Sequence, residues 1–330
     1  MPDVADHTGH PVSGVTIPLV TALDERGRPD APAVRPLLAH LAAGGVTTLM
    51  LAGTNGEGPL LPADAVRSYA AEVAAMWGEI GGASARIMVT AAGTGTRETL
   101  RRIEVLAGLD LDAVVVLAPF YFRHTERELL AHFRAAAAHG RPVVIYNSPG
   151  YTGNPLTVPL VRRLLDQPEI VGLKDSSGDP ALFGGFCDLT RERADFGVAQ
   201  GAERRLAEGL RQGAAGLVPG VGMLAPALCT DLFRLARAGD HTEADRLQRD
   251  VDHAEADRLQ HDVGRLADLF SVRPGASGIV VMKTALHLLG LCPPHAGEPF
   301  LPCTETELTA LRTALAGVDD LVHRPVPQSS

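Results

Sequence analysis

The chain alternates between short, continuous apolar runs and longer amphipathic stretches. Apolar runs without strict alternation are typical of parallel strands that are covered on both faces. We therefore predict a β-strand at each of eight runs between residues 15 and 219. These runs are VTIPLV (15–20), VTTLMLA (46–52), ARIMVTA (85–91), AVVVLAP (113–119), PVVIYN (142–147), IVGLK (170–174), FGVAQ (196–200) and AAGLVP (214–219).

Segments with helical periodicity fill the intervals between the predicted strands. Thr125 and Glu128 form a capping-box pattern, which indicates that one helix begins there. The predicted helices cover 31–43, 62–77, 97–108, 125–139, 158–167, 180–193 and 202–213. Eight strand–helix units within about 225 residues are typical of a (β/α)8 TIM barrel. The alternative α/β fold, a doubly wound open sheet, carries G-x-G-x-x-G after its first strand, and VTIPLVTALDERG lacks it.

From residue 223 onward the pattern is helical throughout, which predicts a C-terminal α-helical domain appended to the barrel. The final residues, VHRPVPQSS, are rich in proline and serine. The predicted organisation is a disordered N-terminal extension at 1–12, the barrel core at 13–222, the helical domain at 223–318 and a flexible tail at 319–330.

The helical domain contains a 12-residue tandem repeat at 243–263. EADRLQRDV (243–251) returns as EADRLQHDV (255–263). Twelve residues of α-helix rotate the second copy by about 120° relative to the first, so one unbroken helix cannot present both copies on one face. We interpret the repeat as a duplication on a solvated, charged surface. The alternative is a docking element for a partner.

Charge and hydropathy exclude several classes of partner. The net charge is −9, which argues against nucleic-acid and anionic-membrane partners. The apolar run AVVVLAPFYF (113–122) has the length of a strand and is too short to cross a bilayer. The N-terminal MPDVADHTGHPVSG lacks the apolar region of a secretory signal. We therefore expect a cytoplasmic protein that binds neither nucleic acid nor membrane.

Cysteine and histidine spacing gives no support to a metal-dependent function. The cysteines at 187, 229, 292 and 303 lie far apart, without the C-x-x-C pairing of zinc sites or a disulfide framework. The twelve histidines show no H-E-x-x-H or comparable ligand spacing. We expect no metal site and no disulfide network.

Of 30 basic residues, only Lys174 and Lys283 are lysine, and the other 28 are arginine, which cannot offer a free amine. Lys174 ends the sixth predicted strand, where a barrel carries its catalytic groups, and shares a face with Gly172. Burial among apolar side chains disfavours an ammonium ion. A neutral amine is the nucleophile that forms a Schiff base with a ketone or aldehyde. We predict this role for Lys174, with a salt-bridged rim lysine as the alternative, and a structural role for Lys283.

Tyr146 ends the fifth predicted strand, which neighbours the sixth in a barrel. A phenol there can pass a proton between a carbinolamine and a substrate oxygen. The alternative is a buried tyrosine that is hydrogen-bonded to a carbonyl group. We therefore treat Tyr146 as a candidate proton carrier.

The loop AGTNGEGPLL (52–61) follows the second predicted strand. Its glycines allow backbone N–H groups to face one point, and Thr54 and Asn55 add side-chain donors. We expect the loop to run into a helix N-terminus, whose partial positive charge favours an anion. No P-loop lysine follows, so the predicted ligand is a carboxylate. The alternative is a plain tight turn.

Four motifs together resemble the dihydrodipicolinate synthase and N-acetylneuraminate lyase family of pyruvate-dependent class I aldolases. They are G-T-N-G-E (53–57), P-F-Y (119–121), Y-N-x-P-x-x-T-G (146–153) and G-x-K-D (172–175). The likeness runs from about residue 12 to residue 315. It implies a TIM barrel with a helical C-terminal domain, a Schiff base between Lys174 and a 2-oxo acid, and no metal or organic cofactor. It also implies a homotetramer built from tight dimers.

The resemblance assigns further roles. Tyr146 is the proton shuttle, and Thr54 and Asn55 hold the substrate carboxylate. Tyr121 matches a tyrosine that the family contributes across the dimer interface. Gly201 matches a glycine that lines the substrate pocket.

Two departures from the family pattern bear on the second substrate. Dihydrodipicolinate synthases carry an arginine where this chain has Tyr151, and a phenol cannot offer a bidentate cationic fork. Asn55 replaces a hydroxyl residue of the synthase loop, and an amide cannot relay a proton. The acceptor half of the site, built from Tyr151, Gly201 and Ala202, is therefore expected to be less charged than in the synthases.

G-[ST]-N-G-E and G-x-K-D-S-x-G-D resemble the 4-hydroxy-2-oxoglutarate aldolase branch. We therefore expect aldol cleavage or condensation of a 2-oxo acid, with a small-molecule aldehyde as the partner. The alternatives are 4-hydroxy-tetrahydrodipicolinate synthase, a dehydratase of a sugar-derived 2-oxo acid, and a non-catalytic homologue that binds a 2-oxo acid.

Overall fold

The computed structural model describes the backbone at residues 10–237 and 243–325, and the side chains at 10–236 and 254–325. Eight parallel strands close into a barrel in chain order, and Gly14 of the first strand pairs with Gly216 of the last. The predicted TIM barrel is confirmed. The strands are β1 (Gly14–Pro18), β2 (Thr48–Leu51), β3 (Arg86–Ala91), β4 (Ala113–Leu117), β5 (Val143–Asn147), β6 (Ile170–Asp175), β7 (Gly197–Gln200) and β8 (Gly216–Leu217).

Helices follow the strands at the predicted intervals. The capping box at Thr125 is present, since its hydroxyl accepts from the Glu128 N–H and the Glu128 carboxylate accepts from the Thr125 N–H. The helices of the barrel region are α1 (Arg35–Ala43), α2 (Ala63–Gly81), α3 (Thr96–Val105), α4 (Glu126–Ala137), α5 (Pro149–Thr152), α6 (Val158–Leu164), α7 (Pro180–Asp188) and α8 (Leu206–Arg211).

Side chains fill the barrel lumen, which leaves a packed interior rather than a pore. Met50, Met88, Val115 and Val144 belong to one buried cluster inside the barrel. Because successive strand residues face opposite sides, the alternate apolar residues pack outward against the surrounding helices. A parallel barrel with both faces covered needs such continuous apolar strands.

The foot of the barrel is closed by Val12, which is 1% exposed. A Cβ atom built on Gly172 or Gly197 would lie within 3.1 Å or 2.8 Å of the Val12 side chain, so these glycines make room for it. Packing therefore begins before residue 13, and the predicted disordered extension does not reach residue 12. Residues 1–9 lie outside the described part of the chain.

In the part of the chain that the structure describes, five α-helices follow the barrel: α9 (Pro226–Arg237), α10 (Glu243–Ala267), α11 (Ile279–Leu288), α12 (Glu305–Ala316) and α13 (Asp319–Val322). They agree with the predicted C-terminal helical domain, and its boundary at residue 222 stays a prediction. Leu321 and Val322 are buried, so the flexible tail predicted to begin at residue 319 is ordered there. None of the described helices is both long and apolar enough to cross a membrane.

α10 runs unbroken through both copies of the tandem repeat. In the second copy, Ala256, Leu259 and Val263 are buried and form the apolar face of the helix. The side chains of the first copy lie outside the described residues. The interpretation of the repeat as a duplication on a solvated surface, with a docking element as the alternative, therefore stays a prediction.

Candidate active site

Lys174 and Tyr146 lie side by side at the C-terminal ends of β6 and β5, where the strand register pairs them directly. The Lys174 Nζ atom is 4.1 Å from the centroid of the Tyr146 ring and 3.9 Å from the sulfur of Met50 in the lumen. Lys174 is only 5% exposed. In the described part of the chain, no carboxylate lies within salt-bridge distance of this amine. Its surroundings therefore differ from those of a salt-bridged rim lysine.

The phenol of Tyr146 has an altered acidity. Burial alone would raise its pKa, but the positive charge of Lys174 and the nearby hydroxyls of Ser148, Ser176 and Thr54 outweigh burial and lower the pKa to about 8. A group with a pKa close to the working pH can both give and take a proton. This property suits the proton carrier that the sequence predicted.

A hydrogen-bonded network on the outer side of β5 and β6 fixes these strand ends. Asn147 donates its side-chain amide to the Asp175 carboxylate at 2.6 Å, and the Ser177 hydroxyl donates to the other oxygen at 2.8 Å. Because strand residues alternate in direction, Asp175 points away from the lumen that Lys174 faces. Burial raises the pKa of Asp175. The network holds the backbone from which Lys174 and Tyr146 project.

Gly201, just after β7, is a position where a larger residue would not fit, whereas its backbone conformation does not demand glycine. Its N–H donates to the Asp175 carbonyl at 2.7 Å. A Cβ atom built on Gly201 would lie 2.3 Å from the Ser176 hydroxyl and 3.0 Å from the Lys174 Cε atom. A side chain there would displace the lysine. The pocket glycine of the sequence analysis thus contacts the predicted nucleophile.

The loop after β2 is a tight turn, closed by hydrogen bonds from the Glu57 N–H to the Thr54 carbonyl and from the Thr21 hydroxyl to the Gly56 carbonyl. The loop passes through a short 3-10 turn at Gly58–Leu60 and then leads into α2, which begins at Ala63, one residue after the predicted start at residue 62. The helix N-terminus predicted after this loop is therefore present, and one 3-10 turn lies between it and the Thr54–Asn55 donors.

One cavity of about 240 Å³ lies at the mouth of the barrel. It brings together six of the eight predicted site residues: Thr54, Asn55, Tyr146, Tyr151, Lys174 and Gly201. Ala202 is not part of its lining, and the Ala202 N–H donates to the Gln200 side chain at 2.8 Å.

Tyr121 also lies outside this cavity. It is 84% exposed, its φ of 83° is in the left-handed region, and its ring packs edge-on against Phe122. Non-glycine residues rarely adopt positive φ, and such strain persists where the surroundings impose it. Within the single chain, Tyr121 therefore does not reach Lys174.

Three polar side chains of the cavity were missed from the sequence: Ser148, Ser176 and Glu203. The two serines follow Tyr146 and Lys174 by two positions, so the alternation of strand residues could have identified them. Glu203 had no such signal, because the 3-10 turn Glu203–Arg205 decides where its side chain points. Its carboxylate accepts the Val221 N–H at 3.1 Å, and burial raises its pKa.

Within the described ranges, no three or more His, Cys, Asp or Glu side chains are arranged to hold a metal ion. The cysteines at 187, 229, 292 and 303 are free thiols.

Comparison with known proteins identifies the family. The model of the dihydrodipicolinate synthetase family matches residues 11–317. The chain belongs to this family. A 4-hydroxy-tetrahydrodipicolinate synthase of Corynebacterium aurimucosum is 32% identical over 315 residues, which cover 92% of this chain and 94% of that protein. An uncharacterized DapA-like lyase of Halobacterium salinarum is 33% identical over 244 residues, which cover 73% of this chain and 78% of that protein.

Solved structures of the family agree with the fold. Dihydrodipicolinate synthase from Bacteroides thetaiotaomicron is 27% identical, with a TM-score of 0.83 over 94% of this chain and 99% of that one. YagE of Escherichia coli K12, solved in complex with pyruvate, is 25% identical, with a TM-score of 0.81 over 93% and 98%. The chain is thus a pyruvate-dependent class I lyase of the dihydrodipicolinate synthetase family, as the motifs predicted.

Proposed function

We propose that the chain catalyses aldol cleavage or condensation of a 2-oxo acid, with pyruvate as product or donor, through a Schiff base at Lys174. The observation that carries this proposal is the buried amine of Lys174, which has no carboxylate partner among the described residues and lies 4.1 Å from the centroid of the Tyr146 ring. A partnered ammonium would be held in its charged form by its carboxylate. The nucleophile that adds to a carbonyl carbon is the free amine, and no such carboxylate is present beside Lys174 in the described part of the chain.

The steps follow from these two groups. The Lys174 amine adds to the C2 ketone, and water leaves to give an iminium ion. As the C3–C4 bond breaks, its electron pair moves into the iminium to form an enamine, and the C4 hydroxyl loses its proton to become the aldehyde. Tyr146 accepts and returns the protons of these steps. Protonation at C3 and addition of water at C2 then release pyruvate and the free amine.

The loop after β2 supplies the carboxylate site in this proposal. Thr54 and Asn55 line the same cavity as Lys174, and both carry hydrogen-bond donors. A 2-oxo acid that bonds to Lys174 through C2 carries its carboxylate one bond away, so the carboxylate must lie within this small cavity. Hydrogen bonds to a charged acceptor are stronger than neutral ones, which favours binding of the carboxylate by this loop.

The aldehyde side of the cavity favours a partner without a second carboxylate. Tyr151 and Glu203 line it, and within the described residues no arginine does. The carboxyl group of Glu203 accepts hydrogen bonds from hydroxyl groups and offers no positive charge to a second carboxylate. We therefore place hydroxylated, uncharged aldehydes ahead of glyoxylate, the anionic product expected from 4-hydroxy-2-oxoglutarate.

A second candidate is 4-hydroxy-tetrahydrodipicolinate synthase, which several relatives are named. Against it stand Tyr151 in place of the family's arginine and Asn55 in place of a hydroxyl residue. Condensation of pyruvate with aspartate semialdehyde, followed by product mass, decides between them. A dehydratase would keep all carbon atoms of its substrate in one product.

The test of the Schiff base is reduction with borohydride in the presence of pyruvate, followed by intact mass. A lactyl-sized adduct on Lys174 supports the proposal. An unmodified chain supports the remaining alternative, a non-catalytic homologue. Repeating the reaction with a panel of aldehydes then identifies the acceptor.

We also propose that a second copy of the chain covers the exposed pair Tyr121 and Phe122, which are 84% and 63% exposed, within a homotetramer of tight dimers. Large aromatic side chains are rarely left exposed together, and such patches mark interfaces. A structural neighbour described as a monomeric dihydrodipicolinate synthase variant, 23% identical with a TM-score of 0.81, shares the fold alone. Light scattering at several concentrations measures the oligomeric state directly.

A further inference from the structure

The second lysine of the chain forms a buried ion pair beside the active site. Lys283 on α11 contacts the carboxylate of Glu57, and both side chains are fully buried. The Lys283 ammonium also donates to the His295 carbonyl at 2.7 Å. The second oxygen of Glu57 accepts the Gly297 N–H at 2.6 Å. The pair therefore links the loop after β2 to the C-terminal helices.

Glu57 belongs to the loop that carries the proposed carboxylate site. Its N–H closes the turn on the carbonyl of Thr54, and its φ of 54° places it in the left-handed region. Glu57 is one of the residues around a second cavity of about 240 Å³, which shares Thr54 and Tyr151 with the catalytic cavity. A negative charge at Glu57 thus lies close to the place where a 2-oxo acid would put its own carboxylate.

The Glu57 carboxylate and a substrate carboxylate in the neighbouring cavity would repel each other, because charge interactions inside a protein are screened much less than in water. Lys283 supplies the compensating positive charge. Arginine is poorly suited to the position, since a guanidinium carries five N–H donors and the contacts of Lys283 offer only the Glu57 carboxylate and the His295 carbonyl. The remaining donors would be buried without partners, at a cost in stability.

We propose that Lys283 is a positioning residue that sets the affinity of the Thr54–Asn55 loop for the 2-oxo acid carboxylate, by neutralising Glu57 and holding it against the C-terminal helices. This inference rests on the proposed function, since it concerns the same substrate. Lys283 does not touch the substrate in this account. It acts through Glu57 and the loop.

The two single substitutions separate charge compensation from a purely structural role. Lys283→Met leaves an unpaired carboxylate next to the site, and we expect the KM for pyruvate to rise at least about tenfold, with kcat changed less than about threefold. Glu57→Gln keeps an acceptor for the Gly297 N–H and removes the negative charge. Because the Lys283 cation then remains without a counter-charge and attracts the substrate carboxylate, we expect its KM not to rise. A purely structural pair would affect KM equally in both variants.

Two further comparisons complete the design. The double variant Glu57→Gln/Lys283→Met carries no charge at the pair and should regain a KM within about threefold of the wild type. Arg273 and Glu307 form a matched, half-buried ion pair at 2.7 Å in the C-terminal region, with exposed fractions of 17% and 21%. Arg273→Met and Glu307→Gln should lower the melting temperature without changing the KM for pyruvate.

The measurements are steady-state turnover as a function of pyruvate concentration, which gives KM and kcat, the fraction of chain reduced by borohydride at each concentration, read by intact mass, and thermal unfolding. If wild-type protein forms no adduct, the proposed function fails and this inference fails with it. If the wild type reacts and Lys283→Met shows the wild-type concentration dependence, the inference alone is overturned. Should Lys283→Met not fold, a tenfold KM increase in Glu57→Gln would overturn it equally.

Discussion

Lys174 and Lys283 are the two lysines of the chain, and both are buried, but their surroundings differ. Lys174 faces the ring of Tyr146 and the sulfur of Met50 at the barrel mouth. Lys283 contacts a carboxylate and donates to a backbone carbonyl. Burial lowers the pKa of Lys283, and the charge of Glu57 opposes that effect.

The comparison shows that burial alone does not decide what a lysine does. A carboxylate partner holds the ammonium form and turns the side chain into a structural link. An aromatic ring and a thioether carry no such counter-charge, which suits the nucleophilic role that we propose for Lys174. In both places arginine is excluded, at one by chemistry and at the other by the number of its donors.

The largest effect is expected at Lys174. Lys174→Met removes the nucleophile, so we expect no borohydride adduct with pyruvate and a loss of kcat/KM of at least about 10⁴-fold. Because the amine has no carboxylate partner in the described part of the chain, the free energy of unfolding should change by less than about 1 kcal/mol. Intact mass and denaturant unfolding measure both quantities. Turnover by Lys174→Arg at the wild-type rate would refute the role given to this residue.

The opposite pattern is expected at Lys283. Lys283→Met leaves Glu57 as a buried, unpaired charge and should lower the free energy of unfolding by about 3–5 kcal/mol. The adduct with pyruvate should still form at saturating concentration, because Lys174 is intact. Denaturant unfolding checks the first statement and intact mass the second. Equal stability losses in Lys174→Met and Lys283→Met would remove the distinction between the two sites.

Much of this arrangement could be predicted from the sequence. The eight apolar runs indicated the positions of the strands, because a parallel barrel buries every strand on both faces and so needs continuous apolar segments. The position of Lys174 followed from the alternation of side chains along β6 and from the rule that barrel chemistry lies at the C-terminal strand ends. The structural role predicted for Lys283 from its helical, apolar surroundings stays a prediction.

The remaining features depend on contacts between distant segments. The pairing of Glu57 with Lys283 joins residues far apart in the chain, and no local pattern indicates it. Glu203 reaches the cavity through a 3-10 turn that periodicity does not reveal. The 3-10 turn at Gly58–Leu60, between the loop after β2 and α2, also has no signal in the periodicity. Val12 was assigned to a disordered extension because the residues that bury it, next to Gly172 and Gly197, come together only when the barrel closes.

Tyr146 provides the next test of the mouth region. Tyr146→Phe should lower kcat by about 10²–10³-fold, which is the range expected for loss of a positioned proton carrier. In the wild type, adduct formation that needs the protonated phenol should fall as the pH rises through about 8, the pKa of Tyr146. The phenol is protonated below that value and ionised above it, which fixes the sign. In Tyr146→Phe, the rate of borohydride trapping measured between pH 6 and pH 10 should not show this fall near pH 8.

The smallest effect is expected from a methyl group beside Lys174. Gly201→Ala would place a Cβ atom 3.0 Å from the Lys174 Cε atom and 2.3 Å from the Ser176 hydroxyl, so the amine must shift. A displacement of this kind lowers kcat/KM by about 10- to 100-fold, because the reaction depends on the approach of the amine to the carbonyl carbon. Gly95→Ala is the matched control, since a Cβ atom on Gly95 meets nothing within 4 Å. If both variants kept wild-type kinetics, the contact between Gly201 and Lys174 would have no part in positioning the amine, and the difference between the two lysines would then depend on their charged partners alone.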